Sequence, residues 1–432
     1  MRPMNEFEYD RKRRQQWLAG EARAEGVEHR TLLRMLAAGG VLSEDELAPT
    51  GRVPAEGTPE PEQAGTSATP VPGIVKPLPP EWFIPRGTNA EMRWDTLRDS
   101  CTGFHIPTER FFIRNHTSTP VIDPDAWRLT VTGSGLRGPA VDFDLAGLRR
   151  LPATGLSSAV ECAGNGRSYF ESQQQQNVPG TPWTLGGIGV ARWRGVRLAE
   201  VLRRAGLRPE AVDVMPIGLD PEYVTTDGQN LGHVRRPLPI GKALDDVLLA
   251  YEMNGAPLAA DHGAPVRLVV PGWVGIASIK WIGTIEVAAE PLYSPWNTDF
   301  YRMFGPDYPP DGGAELAEQV VKSVFELAHD AVLARGRCHR LHGRSWSGAA
   351  AIREVEVSTD GGAHWSCARL RDLSHASTWT RWTFDWRPQR PGPYELLARA
   401  SDQEGNIQPP QAVFNREGYL FGATVVHPVI VV

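Results

Sequence analysis

In the stretch "SSAVECAGNGRSYF", Ser157–Phe170, one cysteine follows a short apolar run and enters a Gly/Asn-rich loop. Cys162 therefore stands where a strand ends and the backbone turns, not inside a hydrophobic segment. Three roles are open to it: a core thiol, a nucleophile, or a ligand to a soft metal. A nucleophile needs an activating base, and this loop offers Glu161 and Arg167 but no histidine. A thiolate ligand needs only an accessible, positively biased site. A second chemical cluster lies in "RFFIRNHTSTP", Arg110–Pro120, which reads as an aromatic strand running into Arg114, Asn115 and His116. Alternation puts Arg114 and His116 on one face and Asn115 on the other. Two potential cations at one strand end suit an oxyanion or a phosphate; a solvated strand end is the bland alternative. A third cluster, "AADHGAPVRLVVPGWVGIASIKWIG", Ala259–Gly283, sets Asp261, His262, Arg267 and Lys280 in an apolar, Gly/Pro-rich region. Sparse basic residues among strands suggest a phosphate-bearing ligand; surface charges with a buried histidine are the alternative.

These clusters need elements to hold them. "WRLTVTG", Trp127–Gly133, alternates Trp127, Leu129 and Val131 with polar residues and predicts a half-buried strand. "RLAEVLRRAGL" puts Leu198, Val201 and Leu202 on one face with Gly206 as a stop, which predicts a helix. "GKALDDVLLAYEMNG" places Leu244, Val247, Leu248 and Tyr251 at i, i+3, i+4 and i+7 and predicts another helix, closed by Asn254-Gly255. "APVRLVVPG" and "WIGTIEVA" follow as strands. Beyond about residue 310 helix signals fade. "IREVEVSTDGGAHWSCARL" reads as strand, Asp-Gly-Gly turn, strand, and "RWTFDWRP" alternates Trp382, Phe384 and Trp386. Short alternating strands at turn spacing predict an all-β sandwich over about 320–432.

At the other end, residues 1–42 have an amphipathic helical pattern. Nine prolines between Pro49 and Pro80 exclude a regular helix or central strand there, leaving a linker or an extended strap over the next domain. The chain of 432 residues is long enough for two or three domains, and its net charge of −6 argues against a nucleic-acid-binding face. The four cysteines, Cys101, Cys162, Cys338 and Cys367, form no CxxC or CxxCH, which removes a thioredoxin-like site and a covalent haem. No apolar run is long enough to span a membrane. "EHRTLLRMLAAGGVL", Glu28–Leu42, has a His-Arg pair and an interrupting Arg34, so an amphipathic helix is preferred to a twin-arginine export signal. A cytoplasmic location is expected, with twin-arginine export as the alternative.

Taken together and in order, "RNH", "ECAGNGR", "LLAYEMNG", "DHGAPVRLVVPG" and "IKWIG" resemble the sulfite oxidase family of molybdenum enzymes, over about residues 81–432. The resemblance implies an α+β chain: a mixed α/β molybdopterin domain over 81–315, then an immunoglobulin-like dimerisation domain over 316–432. Residues 1–80 would be the N-terminal helix and strap. It implies a molybdenum–molybdopterin cofactor, with Cys162 as the protein ligand to the metal. Phe112, Ile113, Arg114, Asn115 and His116 match the strand beside the pterin, with Arg114 in the place of the family's catalytic arginine. Asp220 matches a pterin contact, and His262 and Arg267 match ligands on the phosphate side. Ser278, Ile279 and Lys280 match the loop before a tryptophan, here Trp281. Tyr301 resembles the active-site tyrosine, and Arg416 an arginine that the C-terminal domain lends to the substrate pocket.

The implied activity is oxygen-atom transfer, as oxidation of sulfite or a related sulfur oxyanion, in a homodimer. No cytochrome b5 or flavin domain is recognised, so electrons would pass to an external acceptor, a cytochrome or similar. Gly166 stands where animal and plant members carry an arginine, and Ala277 where they carry another. The stretch after Cys162 is longer than in plant members. These changes border the substrate pocket. Reduction of nitrate or sulfoxides in the same fold, and a non-catalytic β-sandwich interaction protein, are the rival readings.

Overall fold

The computed structural model describes residues 71–97 and 103–432. The predicted N-terminal helix, the linker up to residue 70 and Cys101 lie outside these residues. No helix among the described residues is long and apolar enough to cross a membrane.

Two five-stranded sheets form the first part of the chain. In one, the order is Leu238–Pro239, Asp213–Gly218, Ile282–Ala288, Arg128–Thr132, Val141–Asp144. Its only parallel pair joins Ile282–Ala288 to Arg128–Thr132. The alternation read in Arg128–Thr132 is real: Leu129 and Val131 are fully buried. The other sheet orders Ala256–Pro257, Leu248–Met253, Ile188–Arg197 and Ala153–Glu161, with Arg267–Val269 also paired to Leu248–Met253. Helices are short. Leu198–Arg204 forms as predicted, burying Leu198, Val201 and Leu202, and Gly206 follows at φ +87°.

Two predicted elements differ. "GKALDDVLLAYEMNG" is helical only over Ile240–Asp245; Leu248–Met253 is a strand between two others. Leu248, Leu249, Ala250 and Tyr251 are all buried while Leu244 is exposed. A continuous apolar run buried on both faces fits a central strand, and the helical spacing found within it was incidental. Nor is "RFFIRNH" a strand. Thr108–Arg110 is a 3-10 turn, and beyond it only Ile113 makes a ladder contact, through an isolated bridge to Ala90.

The C-terminal part is a two-sheet sandwich, as predicted. One sheet orders Lys322–Phe325, His339–Trp346, Trp379–Trp386, Arg369–Leu370; the other orders Ala331–Leu333, His427–Val431, Gly392–Asp402, Ile352–Ser358, Ser366–Cys367. Val355, Trp382, Leu396 and Val429 fill the space between them. Residues 403–408 turn back onto the strand Gly392–Asp402, and residues 409–426 then return to the first domain. Gln173 and Gln174, in the long stretch after Cys162, hold this return loop through bonds to the backbones of Thr424, Val426 and Ala412.

Candidate active site

Cys162 follows the strand Ala153–Glu161 directly, and its N–H donates to Gly187 O at 2.9 Å. The loop then turns tightly, with Asn165 N–H on Cys162 O and Gly166 at φ +94°. A side chain at Gly166 would be strained and pressed on Phe421. A second glycine lets the opposite wall close in: a Cβ on Gly275 would stand 2.8 Å from Glu161 O. The segment 275–281 therefore lies directly against the cysteine loop.

These two loops and the segment 111–116 enclose a cavity with about 730 Å³ of unfilled space, mouth included. Phe112, Arg114, Asn115, His116, Cys162, Asp220, His262, Arg267, Ser278, Ile279, Lys280 and Tyr301 all line it. Residues spread over nearly 190 positions thus meet in one place.

At the sulfur end, Arg114 and Cys162 line the cavity together, and the guanidinium donates to Asn115 O. Burial works against its charge, but Tyr301 and Cys162 outweigh burial and hold the Arg114 pKa above its ordinary value. His116 Nε2 lies 3.0 Å from Tyr301 Oη. Burial, then the cations Arg114 and Lys280, keep the His116 pKa well below the usual range, so the ring is neutral and, according to its tautomer, accepts the tyrosine proton or donates to the phenol oxygen. Tyr301 and Trp281 hold φ of +56° and +52°, the left-handed region that bulky residues seldom enter. Such strain gathers at sites that the surrounding structure over-determines.

At the other end the cations dominate. Lys280 Nζ donates to Asn115 Oδ1 and to Asp261 O. This contradicts the alternation drawn from the sequence: Asn115 shares the cavity with Arg114 and His116 because the segment is not a pleated strand. Arg267 is buried, donates to the carbonyls of His262, Leu268 and Ser278, and has its pKa lowered to about 9 by burial. Ser278 Oγ accepts Val270 N–H, and Ile279 forms an apolar wall. His262 and Lys280 both have pKa values well below normal, from burial first and neighbouring cations second.

Two residues here do more than the sequence reading gave them: Asp261 was named in the third cluster without a role of its own, and Lys76 was not named. Asp261 accepts from Val75 N–H at 3.0 Å, from Lys76 N–H at 2.7 Å and from the Thr119 hydroxyl at 2.6 Å. Lys76 reaches in from the segment 71–78, donating to Thr108 O and Phe111 O and meeting His262 Nε2 at 3.2 Å. The end of the Pro-rich segment is thus a strap pinned to the cavity wall. The signal was a lysine among prolines, "IVKPLPP", after a long polar stretch.

Two sequence-stated residues lie elsewhere. Ile113 turns away, into a small apolar cluster with Leu78, Phe83 and Ala90. Arg416 is exposed and is not among the cavity residues; only its N–H is fixed, on Phe304 O. The sandwich instead sends in Tyr419, buried three positions further on. Its ring stacks on Tyr301 with centroids 5.1 Å apart and planes 13° apart. Arg167 lies over the Tyr419 ring at 5.5 Å and donates to Glu417 O and Thr181 O.

The cavity can be tested against a molybdenum–molybdopterin group. Asp220 Oδ1 is buried and has no hydrogen-bond partner, an acceptor suited to a pterin N–H. Burial raises the Asp220 pKa to about 6. Arg267 is buried and Arg114 and Lys280 are half-buried, and these basic groups face only Asp220 and Asp261 in the cavity, an arrangement an anion would balance. Cys162 supplies one soft donor, and no group of three or more metal-ligating side chains occurs among the described residues. A metal brought in by its own sulfur-bearing ligand, needing one thiolate from the protein, fits that donor set.

Comparison with known proteins agrees. Residues 116–296 match the family described as "oxidoreductase molybdopterin binding domain", and residues 316–428 match "Mo-co oxidoreductase dimerisation domain". The chain is 35% identical to mitochondrial sulfite oxidase of Rattus norvegicus, over 78% of this chain and 63% of that protein. It is 35% identical to sulfite oxidase of Gallus gallus, over 73% of this chain and 71% of the relative. Thus the chain spans less than two thirds of the rat protein's length. The crystal structure of the sulfane dehydrogenase SoxCD from Paracoccus pantotrophus superposes with a TM-score of 0.68 at 26% identity, covering 86% of this chain and 96% of that one. A lone cavity thiol, a buried cluster of cations, an appended sandwich and these matches agree on one assignment: the chain belongs to the sulfite oxidase family of molybdopterin oxidoreductases.

Proposed function

We propose that this protein oxidises sulfite, or a closely related sulfur compound, by oxygen-atom transfer and passes the electrons to an external acceptor such as a cytochrome. When bound, molybdenum–molybdopterin supplies the two-electron redox change and the oxygen transfer. The chain's residues supply position, charge and protons. Cys162 would hold the metal. Asp220 would accept a hydrogen bond from the pterin, and His262, Arg267 and Lys280 would face its phosphate. Asn115 and Ser278 would hold Lys280 and the 275–281 backbone in place, with Phe112 and Ile279 as apolar walls.

Arg114 would bind the substrate oxyanion next to the sulfur ligand. The observation that carries this reading is that Arg114 lines the same cavity as Cys162, Tyr301 and His116. A desolvated guanidinium is a strong, geometrically selective partner for an oxyanion. Tyr301 would donate a proton or hydrogen bond at the reacting centre, steered by neutral His116. The match of residues 316–428 to a dimerisation domain supports a homodimer.

The test is sulfite-dependent ferricyanide reduction by protein shown to carry molybdenum. Turnover supports the proposal and makes Gly166 and Ala277 tolerated variations. A full molybdenum complement without turnover rejects sulfite and directs the assay to other sulfur compounds, then to nitrate or sulfoxide reduction.

A further inference from the structure

The residue before Cys162 and the residue three positions after it are both held by a single ammonium from the other domain. Lys322 opens the first strand of the sandwich, and its Nζ lies 2.8 Å from Glu161 Oε1 and 2.7 Å from Asn165 O. Glu161 and Lys322 are each 2% exposed. The second carboxylate oxygen of Glu161 accepts from Trp346 Nε1, also of the sandwich, at 3.1 Å. Asn165 closes the network: its Nδ2 donates to Glu161 Oε1 and its Oδ1 accepts Gly187 N–H, both at 2.9 Å. Gly187 O in turn takes the Cys162 N–H.

A buried ion pair is a poor source of net stability, because desolvation offsets much of the attraction. A buried network of directional bonds does something else: it selects one conformation. Here the conformation selected is that of the backbone on both sides of a metal-binding thiol. Groups outside the ligand shell orient ligands and tune the metal.

We infer that Lys322 is a positioning residue for Cys162, and that the sandwich, through Lys322 and Trp346, sets the direction in which the sulfur meets the metal. The inference rests on Cys162 being the metal ligand. Nothing in it depends on the substrate.

The experiment is spectroscopic, on holoenzyme matched for molybdenum content. It records the sulfur-to-metal charge-transfer absorption and the electron paramagnetic resonance signal after chemical reduction. Lys322→Met is expected to shift the principal g-values beyond the linewidth and to move the absorption band. Adding Glu161→Gln, which removes the unpaired charge but keeps an acceptor for Trp346, is expected to return both part of the way. Spectra of Lys322→Met that superpose on the parent, with only a lower melting temperature, overturn the inference. Should Lys322→Met not yield folded protein, Trp346→Phe carries the test: a smaller shift of both signals is expected, and none overturns the inference. Cys162→Ser is measured alongside. If it leaves both signals unaltered, the ligand reading fails and the inference with it; if it alters them while the other variants do not, only the positioning role fails.

Discussion

Lys76 Nζ and His262 Nε2 lie 3.2 Å apart, although 186 residues separate them in the chain. The contact fastens the strap to the cationic end of the cavity. Removing the ammonium while keeping an apolar stem should loosen that wall. Lys76→Met is therefore expected to lower retained molybdenum and pterin by roughly fivefold after dialysis, the effect of about 1 kcal/mol. Metal analysis and pterin fluorescence on purified protein check this; full retention would remove the strap from any role in holding the cofactor.

The same cluster predicts a pH dependence. Burial lowers the Lys76 pKa from 10.5 to about 7, and burial with neighbouring cations lowers those of Lys280 and His262 as well. The unfolded chain then binds more protons than the folded one between about pH 7 and 10.5, so this lysine makes cofactor-free protein gain stability as pH rises through that window. A bound anion favours the protonated cluster. Phosphate should raise the melting temperature of cofactor-free protein more at pH 6 than at pH 8.5, and Lys76→Met should narrow the difference. Equal stabilisation at both pH values would count against the cluster as an anion site.

Tyr301 Oη is 3.0 Å from His116 Nε2, with the imidazole held neutral. Tyr301→Phe keeps the ring and its stack on Tyr419 but loses the proton. Turnover with sulfite is expected to fall roughly tenfold with little change in cofactor content, on the scale of one hydrogen bond. Steady-state kinetics beside a molybdenum assay would show it, and an unchanged kcat would leave the hydroxyl without a role.

The stack of Tyr419 on Tyr301 separates ring from hydroxyl. Tyr419→Phe should keep stability within about 1 kcal/mol. Tyr419→Ala should cost about 3–5 kcal/mol, as truncation of a large buried aromatic does. Denaturant unfolding distinguishes them, and similar losses in both variants would mean that the hydroxyl matters more than the stack.

Arg416 and Arg167 separate a motif position from a structural one. Arg416 is exposed, so Arg416→Ala should leave the Michaelis constant for sulfite within about twofold, as for a surface substitution. Arg167 braces Tyr419 and the Glu417 backbone, and Arg167→Ala should raise that constant several-fold. The opposite ranking would restore Arg416 to the substrate pocket.

Much of this was readable in the residues. The strand Arg128–Thr132 and the helix Leu198–Arg204 announce themselves by one-sided periodicity, and the Asp360-Gly361-Gly362 turn by its composition. Leu248–Met253 did not, because a run buried on both faces carries no period and a helical spacing can always be found in it. Cys162, Arg114, His262 and Lys280 stood out as chemistry in unusual settings. Ile113 and Arg416 were placed by motif likeness, which fixes a neighbourhood but not the direction of a side chain. The bond between Glu161 and Lys322 had no local signature: 161 residues separate them, and each alone looks like a surface charge.

The ribosome delivers Cys162 long before it delivers Lys322, Trp346 and Tyr419. The bonds that Lys322 and Trp346 make to the cysteine loop, and the stack of Tyr419 on Tyr301, form only once the sandwich has been synthesised and has closed on the first domain. A nascent chain halted within the first domain would present the cysteine without the frame that aims it.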